Sequence, residues 1–161
     1  MSSINLMRRN PLENRLPPPL VFIAIAASMA GAAAFLPASG LAGATSLALA
    51  AMFFALAGLT GPPAVFKFRR AATTIDPVHV DRASSLVTDG VYRWTRNPMY
   101  LAMASLLAAL VCFTAQPLLA VGPLAFVWFI TLFQIAPEER AMRQRFGSAY
   151  ETYCASTRRW L

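Results

Sequence analysis

Charge is missing from most of this sequence. From Leu16 to Phe66, a run of 51 residues, and again from Asn97 to Pro137, a run of 41, there is no Asp, Glu, Lys, Arg or His. Only 13% of the 161 residues are charged while 57% are hydrophobic, which excludes an ordinary soluble domain and points to an integral membrane protein. Histidine occurs once, at His79, and cysteine twice, at Cys112 and Cys154, so neither a disulfide framework nor a His/Cys metal centre is expected. The apolar blocks also lack the buried ionisable groups through which proton- or ion-driven transporters couple their cargo.

The charges that are present fall into three stretches, 1–15, 67–96 and 138–159, holding 3, 6 and 5 of the 14 Lys and Arg. One bilayer crossing takes about 20 residues, so each apolar block holds two. Pro37-Ala38-Ser39-Gly40 divides the first block into spans of roughly 18–36 and 41–60, and Gly61-Pro62-Pro63 is expected to end the second helix. Ala115-Gln116-Pro117 divides the second block into spans of roughly 98–115 and 117–136, with Pro137 closing the last. Both hairpin tips are uncharged, so the positive-inside bias puts both termini and the central segment in the cytoplasm. Arg8, Arg9 and Arg15 before an apolar run imitate a secretory signal, but the run is long and a second follows at once, which marks a retained first span.

The expected fold is therefore an all-α integral membrane protein of four transmembrane helices in two hairpins, in a bacterial inner membrane. A cytoplasmic helix follows over 138–156, where Met142, Phe146, Tyr150 and Tyr153 recur at helical spacing and Gly147 is a point of interruption. The net charge of +7 sits beside the apolar spans, which fits anionic lipid headgroups and not nucleic acid. Alanine and glycine in the first two spans, such as Ala27, Ala30 and Gly31, allow close helix packing and leave a homodimer open.

Polar residues concentrate where the cytoplasmic segments meet the membrane, at 88–100 and at Glu138-Glu139-Arg140. A hairpin returns its second end to the side of its first, so the span pair between Pro98 and Glu138 brings the Arg96 corner and the two glutamates to one face. Each residue also has a plainer reading. Arg93, Arg96 and Arg140 suit headgroup anchors, Glu138 and Glu139 suit a helix N-terminus, and Pro98 suits a first helical position. Trp94 and Trp160 suit an interfacial belt, His79 a loop, and Cys112 helix packing.

The order and spacing of several short elements resemble the membrane-embedded methyltransferases that include isoprenylcysteine carboxyl methyltransferases and phospholipid N-methyltransferases. The elements are Phe68-Arg69-Arg70-Ala71-Ala72-Thr73-Thr74, Leu86-Val87-Thr88-Asp89-Gly90-Val91-Tyr92-Arg93, Arg96-Asn97-Pro98-Met99-Tyr100, Glu138-Glu139-Arg140, Phe146-Gly147-Ser148-Ala149-Tyr150 with Tyr153, and Arg158-Arg159-Trp160. The resemblance covers roughly 66–161. It implies a methyltransferase core over 67–161, and the chain is expected to be one membrane domain over 1–161 with 1–66 a scaffold hairpin.

It also implies S-adenosylmethionine as methyl donor and a membrane lipid or lipidated acceptor. The implied catalytic set is Arg96, Asn97 and Glu139. The implied donor-binding set is Leu86, Val87, Gly90, Tyr92, Arg96, Pro98, Tyr100, Glu138, Glu139 and Tyr150. Glutamates suit the donor's ammonium, Arg96 its carboxylate, and tyrosine faces its sulfonium or adenine. Prenylcysteine enzymes usually carry His where this chain has Asn97, and of the glycine-rich donor motif of phospholipid N-methyltransferases only Gly90 stands near the expected place. The acceptor group thus stays open between a carboxylate, an amine, a thiol and a hydroxyl. A non-catalytic membrane scaffold or lipid-binding subunit is the alternative function.

The topology is directly testable. A cysteine placed at Ser39 is expected to react with a thiol reagent confined to the periplasm and one at Ser84 to be protected; the reverse pattern would contradict the charge map.

Overall fold

Proline suits the start of a helix because a first-turn residue has no intrahelical use for its N–H. In the computed structural model, which describes residues 16–37, 43–70 and 86–161, α1 (Pro18–Ala33) and α3 (Pro98–Thr114) both begin on proline. Ala115 then takes a left-handed conformation (φ 52°), and a short 3-10 turn, Pro117–Ala120, leads into α4 (Val121–Ile130). All the described secondary structure is helical. Ala38, Ser39 and Gly40 of the first tip, and His79, lie outside the described residues.

Two prolines expected to stop helices do not. α2 (Ala44–Arg70) runs 27 residues, straight through Pro62 and Pro63. Its neighbour over most of its length is α3, and the two backbones approach closely at Gly61, where a Cβ would lie 3.0 Å from the Ala102 Cβ. That packing holds the helix together while the rings of Pro62 and Pro63 stay on the exposed side. Pro137 does not end the fourth span either. It lies at the start of α5 (Ala136–Phe146), after a π turn over Thr131–Ile135 in which the Ala136 N–H donates to the Thr131 carbonyl five residues back. The wider turn accommodates a ring that would otherwise collide with the preceding turn. The result is one unbroken helical run over Pro117–Phe146. Gly147 (φ 51°) does interrupt the chain as expected, and α6 (Ser148–Ser156) follows.

The helix bodies are apolar inside and outside. Met29, Leu107, Leu119, Phe126, Ile130 and Ile135 form the interior cluster, while Phe54, Leu59, Leu124 and Trp128 are each more than 60% exposed. A soluble fold would bury such a girdle; a membrane solvates it. Two helices, Ala44–Arg70 and Pro117–Phe146, are long and apolar enough to cross a bilayer, and Pro18–Ala33 and Pro98–Thr114 are shorter apolar helices.

Because lipid is as apolar as leucine, side-chain hydrogen bonds supply contacts that hydrophobic burial cannot. Two buried glutamines of the second hairpin hold α1 at both ends. Gln116 Nε2 donates to the carbonyls of Ala33 (3.0 Å) and Leu36 (2.7 Å), and Gln134 Nε2 donates to the carbonyl of Leu16 (2.7 Å). Ser46 Oγ on α2 likewise donates to the Cys112 carbonyl on α3. Replacing Gln116 with Leu removes two of these bonds, and we expect about 1–2 kcal/mol of lost stability in a detergent unfolding titration; an unchanged midpoint would show that the amide does not hold α1.

Candidate functional site

The site grows from the corner that precedes α3. A 3-10 turn over Gly90–Arg93 reverses the chain at Gly90, whose φ of 62° suits glycine. Gly90 also lies against the Lys67 side chain at the end of α2, and Lys67 is ion-paired with Asp89. This exposed pair ties α2 to the corner, and Lys67 holds the Asp89 carboxyl below its ordinary range.

The turn delivers Tyr92 into a buried aromatic cluster with Ala64, Tyr150 and Tyr153, against which Leu86, Val87, Met142 and Phe146 pack. The Tyr153 hydroxyl donates to the Tyr92 carbonyl at 2.7 Å, and the rings of Tyr150 and Tyr153 meet edge to face with centroids 6.2 Å apart. Burial is the main reason that the hydroxyls of Tyr92, Tyr150 and Tyr153 titrate well above an ordinary tyrosine. All three are therefore neutral donors over the physiological range.

Thr95, fully buried, begins the polar part. Its hydroxyl donates to the Arg159 carbonyl (3.2 Å) and accepts from the Asn97 N–H (3.2 Å). The Asn97 amide also donates to the Arg159 carbonyl, at 2.9 Å, and the Arg96 N–H donates to the Arg158 carbonyl at 2.9 Å. Pro98, buried at the first position of α3, then turns the chain into the helix.

From the other side, α5 presents two successive glutamates that point different ways, since neighbours on a helix diverge by about 100°. Glu138 faces α3 and accepts from the Tyr100 hydroxyl at 2.5 Å. Glu139, buried, faces the C-terminal residues. Both of its oxygens are taken by Arg159, Nε to Oε1 at 2.9 Å and Nη2 to Oε2 at 2.7 Å, and Arg96 Nη2 lies 3.3 Å from Oε1. The two-point bond to Glu139 raises the Arg159 pKa. The Arg96 guanidinium further donates through Nη1 to Cys154 Sγ on α6. Within this site the buried Arg96 Nε and Tyr92 hydroxyl find no partner among the described residues.

Arg96, Asn97, Glu138, Glu139, Tyr92, Tyr100 and Tyr150 thus meet at one end of the bundle, with Leu86, Val87 and Pro98 packed around them. Gly90 shapes the turn from its exposed side. Asn97 spends its amide on the chain's own tail, and Glu139 is neutralised by two arginines, so the two glutamates do different work. The residues that pattern reading missed are Thr95, Cys154 and Arg159 as partners of the corner. A signal for Arg159 was available, since two acids entering a buried helix end need more cationic charge than Arg96 supplies. Beside this centre, a cleft of about 470 Å³ opens between the corner and α6, lined by Thr88, Arg93, Thr152, Tyr153, Ser156 and Thr157. No group of three or more His, Cys, Asp or Glu suited to a metal occurs among the described residues.

The sequence that carries this geometry matches a known family. The model of a family described as phospholipid methyltransferase matches residues 45–149, which takes in α2 to α5, the corner and both glutamates. An uncharacterized protein of Haemophilus influenzae is 36% identical over 63 residues, a stretch that spans 39% of this chain and 100% of that protein. No solved structure matches.

Proposed function

Since the chain belongs to the phospholipid methyltransferase family, we propose that it is a membrane-embedded enzyme that transfers a methyl group from S-adenosylmethionine to a lipid-like acceptor. The reading places four transmembrane helices in a bacterial inner membrane, with both termini, the corner and α6 on the cytoplasmic side. The four apolar helices and the exposed apolar girdle support it, as does the basic character of every segment flanking the apolar blocks.

The donor's amino-acid end carries a carboxylate and an ammonium together, and the residues at the corner fit such a zwitterion. Arg96 has a buried Nε–H with no partner and Tyr92 a buried hydroxyl with none; these two donors suit a carboxylate. Glu138 has one oxygen on Tyr100, leaving the other for an ammonium. The single observation that carries the assignment is this pair of unpartnered buried donors beside a glutamate. Tyr100 and Tyr150 wall the space with aromatic faces that favour a sulfonium. When bound, the donor supplies an electrophilic methyl group on a positively charged sulfur.

The protein's contribution is placement. Displacement at a methyl group needs collinear approach and exclusion of water more than proton transfer, so rate comes from orientation and from the buried, aromatic setting. No nucleophile on the chain is needed, and the acceptor's own lone pair attacks. A lipid-like acceptor reaches the corner with its polar head at the ends of α3 and α5 while its tail stays among the exposed apolar side chains.

Calorimetric titration of S-adenosylmethionine, and separately of its demethylated product, into the detergent-purified protein tests the reading. Micromolar binding is expected, weakened about tenfold or more by Glu138→Gln, which corresponds to about 1.4 kcal/mol or more. Folded protein that binds neither compound would contradict it and favour a non-catalytic scaffold.

A further inference from the structure

The residues after α6 lie beyond the family match, which ends at residue 149, yet they are woven into the centre of the site. Over 157–160 the chain lies across the corner as a strap. Its backbone carbonyls hold three successive residues: Arg158 accepts from the Arg96 N–H, and Arg159 accepts from both Thr95 and Asn97. Its Arg159 side chain holds Glu139 on α5 by two parallel bonds. Trp160 packs against the interior apolar cluster. One residue, Arg159, therefore grips both sides of the site, the corner through its carbonyl and α5 through its guanidinium.

We propose that Arg159 is a positioning residue for donor binding, acting through Glu139 to set the place and orientation of the Arg96 guanidinium. The inference rests on the functional reading above. Glu139 is the shared element, with Oε1 facing both Arg159 Nε and Arg96 Nη2. With Arg159 locking both oxygens, Glu139 can brace Arg96 through Nη2 in one orientation only, while Cys154 takes Nη1 and Nε is left without a partner among the described residues. Without Arg159 the carboxylate is free to swing and to draw Arg96 fully onto itself, because a buried acid left with one cation takes all of it. A point charge cannot replace the planar fork, so lysine is a poor substitute.

The two neighbouring glutamates then have separate roles. Glu138 faces the ligand, whereas Glu139 faces the strap and acts through Arg96. The damage that a strap variant should cause therefore lies at the amino-acid end of the donor, leaving its adenosine end alone.

The test compares two probes on the full-length protein in detergent, S-adenosylmethionine and 5′-methylthioadenosine, which has the adenosine and thioether but no amino-acid end. Arg159→Met is expected to weaken binding of S-adenosylmethionine about tenfold, about 1.4 kcal/mol, while methylthioadenosine binds as it does to the wild type. Arg159→Lys, which keeps the charge and guards against a variant that fails to fold, should show a smaller loss of the same selectivity. Unchanged S-adenosylmethionine binding in a folded variant would overturn the proposal. So would equal weakening of both probes, which would mark Arg159 as merely structural. Wild-type protein that binds no S-adenosylmethionine would instead overturn the functional reading on which the proposal stands.

Discussion

A carboxylate cannot be taken out of water without company, and Glu139 is buried at the end of a long apolar helix. Its two arginines come from opposite directions. Arg96 stands on the corner before α3, and Arg159 comes from the tail of the chain, 63 residues later. The demand of one buried charge therefore draws three separate pieces of sequence to a point, and the rest of the site takes its geometry from that meeting. Asn97 and Thr95 hold the tail's backbone, Cys154 receives Arg96 from α6, and the neighbouring Glu138 is left to face Tyr100.

The helices below obey a different constraint. Apolar contact between helices gains little when the alternative is lipid, so polar side chains do the joining where they can. Gln116 and Gln134 hold the two ends of α1, and Ser46 links α2 to α3. Gln134 lies in the π turn one turn before Glu138. The distortion that admits Pro137 thus lies next to both the fastening of α1 and the glutamate pair, which couples the scaffold to the site.

The distribution of charge makes the helical apolar blocks legible, and hairpin geometry alone brings the Arg96 corner and the Glu138-Glu139 pair to one end. Proline is legible at Pro98, where local chemistry alone decides. It was misread at Pro62, Pro63 and Pro137, where packing along α3 and an inserted π turn outweigh the local preference for a break. Gly147 was legible because a left-handed φ has few other occupants. The need for a second cation beside the glutamates is legible, but that Arg159 supplies it, and that Asn97 bonds to the same segment, is not, because an irregular segment has no period from which its path can be inferred. The sequence also could not tell Glu138 from Glu139, since only the neighbours on each side of α5 distinguish them.

A double-mutant cycle decides whether the Glu139–Arg159 pair joins the residues after α6 to α5 and fixes the site. Unfolding free energies of Glu139→Gln, Arg159→Gln and the combined variant would be measured in one detergent. The expected result is that Glu139→Gln strands Arg159 and Arg96, that Arg159→Gln leaves Glu139 with Arg96 alone, and that the two single costs together exceed the cost of the combined variant by about 2 kcal/mol or more. Additive costs, with a coupling near zero, would contradict it.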